Sequence, residues 1–196
     1  MKKRLVVGLT GSFGSGKTTA SRMFARRGAY LINADDVAHE ALRSNHPVYR
    51  KIKSLFGVRG KLSRAEIARE IFRNPSKRKK LEALIHPYVK RRIKQDLKKI
   101  KRGVVIVEVP LLFESRFDRL CDVTVSVLAG QSAIIRRLRG RGFSKREVTA
   151  RLRAQMSQVE KRKKSDYVIM NSNNKNKLNE QVGKIWNILN RTLKGE

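Results

Sequence analysis

Apolar residues recur along the chain in two rhythms. Short runs stand at Leu5–Leu9, Ala29–Ile32, Val104–Val109, 122–128 and 166–170, most of them rich in valine and isoleucine. Runs of this kind without polar alternation predict parallel strands buried on both faces. Elsewhere the apolar positions fall three and four apart, the spacing of one helix face. Thr19–Arg27 turns Met23 and Phe24 inward and stops at Gly28, and Leu178–Leu193 does the same with Val182, Ile185, Trp186 and Leu189. Strands alternating with helices predict an α/β fold with a five-stranded parallel sheet flanked by helices.

One stretch departs from that alternation. Residues 37–102 read as helix after helix with no strand, too long for an ordinary connection. Pro47 opens a helix over Val48–Phe56 that Gly57 closes, and Ser63 with Glu66 has the spacing of a capping box before Ile67, Ala68, Ile71 and Phe72. Asn74-Pro75 starts a basic helix in which His86-Pro87 is expected to force a break or a kink. After the fourth strand, residues 132–141 predict an arginine-rich helix. A second, capped by Ser144 and Glu147, is expected to run to about Lys164.

The first strand runs into Gly11-Ser12-Phe13-Gly14-Ser15-Gly16-Lys17-Thr18, which has the spacing G-x-x-x-x-G-K-[ST]. Glycines let successive backbone N–H groups turn inward around phosphate oxygens, and the following helix directs its positive end at the same point. Gly11, Phe13, Gly14, Ser15, Gly16, Lys17, Thr18 and Thr19 are therefore expected to bind ATP. Lys17 is placed for the β- and γ-phosphates and the Thr18 hydroxyl for Mg²⁺. Such a loop between a strand and a helix, followed by a helical insert, resembles the layout of small P-loop kinases, in which the insert is a substrate lobe.

Acidic residues stand at the ends of two strands. Asp35 and Asp36 follow the second; either carboxylate can take a proton from a substrate hydroxyl, and either can cap the next helix. Glu108, at the end of the third strand, has the place from which a P-loop protein holds Mg²⁺, or it supports the loop indirectly. His86 has two readings, a substrate contact or a cap or satisfied side chain. The two late helices have the makings of a lid that brings arginines to a transferring phosphoryl group.

Composition narrows the class. No apolar stretch approaches the roughly 20 residues of a membrane span. The basic start at Met1-Lys2-Lys3-Arg4 precedes too short an apolar run for a signal peptide, so a cytosolic protein is expected. The single cysteine, Cys121, excludes an intramolecular disulfide and a cysteine metal cluster, and is expected to be a small buried apolar residue. The net charge of +31 has two readings, affinity for polyanions or a surface simply rich in lysine and arginine. The charge is spread over many helices, and aromatics are 6% with no interleaving among basic residues. The second reading is preferred, with only weak non-specific RNA binding at low salt. No membrane partner is expected, and a monomer is favoured.

Several strings together resemble the dephospho-CoA kinase family over nearly the whole chain. They are the loop itself, Ala34-Asp35, Leu81-Glu82 with His86-Pro87, and Val109-Pro110-Leu111-Leu112-Phe113-Glu114. Arg137-Leu138 with Arg141, Gln155, and Asp166-Tyr167-Val168-Ile169 with Asn171 complete the set. The resemblance implies ATP-dependent phosphorylation of the ribose 3′-hydroxyl of dephospho-CoA, the last step of coenzyme A biosynthesis. It implies a P-loop kinase fold in one domain: a core at about 1–36, 103–130 and 165–196, a helical substrate lobe at about 37–102 and a lid at about 131–164. It also implies Asp35 as base with Asp36 as cap, Arg141 closing from the lid, Pro110 and Leu111 with His86 on the acceptor, and Thr18 with Glu108 at the metal. Asn33, Ser12-Phe13, Glu108 and Ser165 depart from the family's usual Asp, Gly-Ile, Asp and Ala. Alternative readings are a P-loop kinase acting on a nucleoside monophosphate or small alcohol, and a basic nucleic-acid-binding P-loop protein.

Overall fold

The computed structural model describes residues 3–43, 46–58, 60, 63–171 and 174–196. The basic start at Met1-Lys2, the middle of the expected turn at 171–174 and the side chain of Phe72 lie outside the described residues. The chain divides into two compact units, Met1–Asn33 with Lys99–Glu196, and Ala34–Lys98.

The first unit is built on a parallel sheet of β1 (Arg4–Gly11), β2 (Tyr30–Asn33), β3 (Gly103–Glu108), β4 (Val123–Leu128) and β5 (Tyr167–Met170). Their order is β2-β3-β1-β4-β5, every pairing parallel. β1 lies in the middle, with Leu5 opposite Val104 and Leu9 opposite Val125, so the chain leaves β1 where strand order reverses. In open α/β sheets the crevice at that switch point, beyond the carboxyl ends of the strands, is where ligands bind.

One face of the sheet presents Leu5, Val7, Leu9, Ile106, Val127 and Ile169 to a single core. It is covered by Phe24 of α1 (Lys17–Ala25) and by Val182, Ile185 and Leu189 of α9 (Lys175–Lys194). The expectation that the second strand is buried is corrected. β2 is a four-residue edge strand paired only with β3, and Tyr30 and Leu31 are 51% and 39% exposed.

Three further helices follow β4: α6 (Gln131–Arg139), α7 (Lys145–Arg153) and α8 (Gln158–Lys164). The Ser144–Glu147 capping box forms as expected, but the helix stops at Arg153 and does not reach Lys164. The reason is a second S-x-x-E, Ser157 with Glu160, which forms its own capping box and starts α8 afresh. In both boxes the serine's backbone N–H and hydroxyl hold the glutamate carboxyl below its usual range.

The second unit contains α2 (Ala34–Glu40), α3 (Pro47–Phe56), α4 (Arg64–Arg73) and α5 (Pro75–Lys99), closing at Lys98. Ile52, Ile67 and Leu81 form its core, with Leu55, Ile71 and Leu84 packed against it. α3 ends on Gly57 in the left-handed region, as its sequence predicts. Ser63 takes the N-cap position of α4, but its hydroxyl makes no capping bond. α5 runs through Pro87 as one helix, so of the expected break or kink the break does not occur. Proline removes one helical N–H donor, yet Leu81 before it and Val89, Ile93 and Leu97 beyond it are buried and hold both halves. Among the described residues, no helix is long and apolar enough to cross a membrane.

Candidate active site

The loop between β1 and α1 takes its shape from its own composition and from the ends of two other strands. Gly16 has φ 102°, and a Cβ there would come 2.2 Å from Asn171 Nδ2, so only glycine fits. Asn171, just past β5, donates from that nitrogen to the Ser15 carbonyl at 2.8 Å. Arg137 of α6 donates from Nη1 to the carbonyls of Gly14 and Ser15 at 3.2 and 3.1 Å, and from Nη2 to the Asn171 carbonyl at 3.1 Å. These bonds fix the Gly14 and Ser15 carbonyls, and the Ser15 N–H closes a turn by donating to the Ser12 carbonyl at 3.0 Å. Burial, with the neighbouring charges of Arg136 and Arg141, lowers the Arg137 pKa. Ser15 Oγ is buried with no hydrogen-bond partner, the kind of orphan that an incoming anion satisfies.

Lys17 opens α1 and directs its ammonium into the loop, where Nζ donates to the carbonyls of Gly11 and Ser12 at 2.9 and 3.2 Å. Thr18 Oγ1 donates to Glu108 Oε1 at 2.8 Å, and Ser21 Oγ donates to Glu108 Oε2 at 2.7 Å. Glu108 is 4% exposed at the end of β3. Both carboxylate oxygens thus serve hydroxyls of α1, so the loop-supporting role left open by the sequence is realised. The arrangement also fits a hard divalent cation, because Thr18 spends its proton on Glu108 and keeps oxygen lone pairs for a metal. Among the described residues, no group of three or more His, Cys, Asp and Glu forms a metal cluster, so a cation here would take its remaining ligands from phosphate and water.

The remaining predicted residues fall in different places. Thr19 is exposed on α1. The Pro110 carbonyl accepts from Thr10 Oγ1 at 3.1 Å and from Lys161 Nζ at 3.2 Å, and the half-buried Leu111 follows it. Arg141 lies just past α6, exposed, and its side chain has no hydrogen-bond or ion-pair partner among the described residues. In the second unit Asp35 and Asp36 both lie in the first turn of α2 and are exposed. Asp36 is therefore inside the helix and not its cap; there both carboxylates favour the positive helix end. His86, on α5, is half-buried, and burial lowers its pKa against the opposing pull of Glu82.

Sequence reasoning missed four contributors. Ser21 stands three residues after Thr18 on one helix face, a spacing that marks it as a second donor to any acid below. Asn171 and Gln155 belong to the strings of the family resemblance, but carried no assigned task. Lys161 is the surprise: fully buried in a chain of +31, it donates to Glu114 Oε1 at 2.9 Å, and the same oxygen accepts the Met156 N–H. Cys121 is half-buried, its thiol pushed up to about 12 by burial and by Asp118 and Asp122.

A parallel sheet whose middle strand feeds a phosphate loop, with that loop's lysine and threonine opening the next helix, defines a P-loop kinase. A shikimate kinase from Bacteroides thetaiotaomicron shares this fold at a TM-score of 0.54 and 17% identity, over 95% of this chain and 98% of the other. The family model for dephospho-CoA kinase matches residues 5–177, and the chain belongs to that family. A Leptospira interrogans dephospho-CoA kinase is 34% identical over 195 residues, 96% of this chain and 94% of the relative. One from Carboxydothermus hydrogenoformans is 36% identical over 186 residues, 90% of each. A Thermus thermophilus protein of solved structure is similar at 34% identity and a TM-score of 0.83, over 94% and 96% of the two chains.

Proposed function

We propose that the chain transfers the γ-phosphoryl group of ATP to the ribose 3′-hydroxyl of dephospho-CoA, releasing ADP and coenzyme A, the last step of coenzyme A biosynthesis. The observation that carries this reading is membership of the family across residues 5–177. In the reaction a bond forms between the acceptor oxygen and the γ-phosphorus, and the bond from that phosphorus to the β–γ bridging oxygen breaks. The hydroxyl proton passes to Asp35, an exposed carboxylate that begins α2 directly beyond β2.

Lys17 supplies a positive charge to the β- and γ-phosphates, and the loop N–H groups hold them in line. Arg141 brings a second charge as residues 131–164 act as a lid. Residues 37–102 act as the acceptor lobe, with His86, Pro110 and Leu111 as acceptor contacts. Thr18 would hold Mg²⁺ directly and Glu108 through water while it orients the Thr18 hydroxyl. An ion held there would supply positive charge that offsets the charge on the transferring phosphoryl group. An alcohol acceptor has a proton to lose and a nucleotide phosphate does not, so Asp35 supports the alcohol. The enzyme is read as a cytosolic monomer with no specific nucleic-acid partner.

The test is ADP formation from ATP and Mg²⁺ with dephospho-CoA, with nucleoside monophosphates and with no acceptor. Turnover is expected with dephospho-CoA alone. A rate with dephospho-CoA no greater than with water would falsify the assignment.

A further inference from the structure

The phosphate loop carries one large apolar residue, Phe13, between its glycines and serines, and the structure gives that residue three separate attachments, two through its ring and one through its backbone. Its ring meets the Phe143 ring edge-on, with centroids 5.3 Å apart and planes at 90°. The Arg151 guanidinium carbon lies 4.7 Å from the centroid of each ring. The Phe13 backbone N–H donates to Gln155 Oε1 at 3.0 Å. Arg151 lies in the last turn of α7 and Gln155 in the turn just beyond its C-cap Ala154, so α7 and the turn that follows it hold both the ring and the amide of a single loop residue. Beneath them Phe13 and Phe143 pack on Ile134, Leu138 and Val148. Gly14 admits this packing, since a Cβ there would come 2.7 Å from Leu138 Cδ1.

A glycine-rich loop loses much conformational freedom when ordered, and a fixed anchor reduces what phosphate binding must order. An arginine suits the anchor because its planar, weakly hydrated cation stacks on aromatic faces in a way lysine does not. We infer that Phe13, Arg151 and Gln155 are positioning residues for the ATP phosphates, a latch in which α7 holds the phosphate loop in its binding shape. None of the three reacts. Their effect is on the loop, and through it on nucleotide affinity before the acceptor arrives.

This inference rests on the phosphotransferase reading, and its test separates the two. In the full-length protein, ATP affinity is measured by titration without acceptor, alongside amide hydrogen exchange of residues 11–18 with no nucleotide present. Arg151→Gln and Phe13→Ile are each expected to weaken ATP binding about 5- to 30-fold and to speed loop exchange, with thermal midpoints near that of the wild type. Phe13→Tyr, which keeps a ring between Arg151 and Phe143, is expected to restore both. The double variant should be little worse than the weaker-binding single, as for two parts of one contact. KM for ATP should rise far more than kcat falls.

Unchanged affinity and exchange in Arg151→Gln would overturn the latch, as would additive losses in the double variant. Should Phe13→Ile fail to fold, the Arg151→Gln and Phe13→Tyr pair decides alone. Failure of the wild type to turn over dephospho-CoA sinks the phosphotransferase reading. The exchange data, taken without nucleotide, still decide whether α7 holds the loop.

Discussion

The polar bonds around the phosphate loop span more of the chain than those described in the helical unit. Around the phosphate loop the bonds join distant parts of the chain: Thr18 to Glu108 across 90 residues, Phe13 to Gln155 across 142, and Ser15 to Asn171 across 156. In the helical unit Arg78–Glu82 and Arg92–Asp96 are pairs four apart on one helix. Its longest described polar contact joins Glu40 to Arg92 at 2.9 Å and to Tyr88 at 3.1 Å. Pairs of the local kind form in an isolated helix and are worth little singly. Contacts of the distant kind exist only once the sheet has assembled. The difference teaches that the loop's shape is a property of the whole first unit, whereas a helix surface can change without consequence elsewhere.

The sharpest division between chemistry and scaffold is tested at Asp35. Asp35→Asn is expected to lower kcat about 10²- to 10⁴-fold while ATP affinity, by titration, stays the same. An equal loss in both would assign the residue a structural role. Lys17→Ala, on the other unit, should lower kcat about 10²- to 10³-fold by removing a charge aimed at the phosphates, with the circular-dichroism melt unmoved. A shifted melt would mean that its bonds to the Gly11 and Ser12 carbonyls shape the loop.

The buried ion pair tests whether distant contacts support stability. Glu114→Gln strands a fully buried ammonium and should cost about 3–5 kcal/mol in denaturant unfolding. Lys161→Met should cost less, because the Glu114 side chain is 22% exposed and keeps the Met156 N–H. Equal costs would show that the unpaired ammonium is no more costly here than the unpaired carboxylate.

The smallest effect belongs to the helical unit. Burial holds the folded pKa of His86 below its ordinary value of 6.5, so the unfolded chain binds more protons in the window below that value. Stability from this group is complete above about 6.5 and is lost as pH falls through the folded pKa. The thermal midpoint should therefore drop as pH falls below about 6.5, and His86→Gln should flatten that part of the slope. An identical slope in the variant would place the acid sensitivity elsewhere.

Much of the fold was legible because its signals are local. Five apolar runs became five strands, Gly57 ended its helix, and Ser144 with Glu147 formed their box. Where local signals misled, a competing interaction explains the outcome. Ala29–Ile32 looked buried because an apolar run does not reveal how many neighbours a strand has, and β2 has one. Pro87 looked like a break because a single lost hydrogen bond is visible in sequence and the burial of Val89, Ile93 and Leu97 is not. The α7–α8 break was in fact written in Ser157 and Glu160, a signal of the same form as the one read correctly 13 residues earlier.

At the candidate site, spacing alone identified Gly11, Gly16, Lys17 and Thr18, since a phosphate cradle needs those residue types in that order along a continuous stretch of backbone. The sequence by itself therefore determined a parallel α/β sheet with a phosphate-loop motif after its first strand, and the strings beyond the loop pointed to the family. Only the tertiary structure decided that Glu108 supports Thr18 and Ser21, that Lys161 is buried against Glu114, and that α7 takes hold of Phe13. The physical reason is the range of the interactions. Periodicity, capping and loop geometry act between residues a few positions apart and leave a pattern in the chain, whereas contacts across an assembled sheet depend on strand order, which no local pattern records.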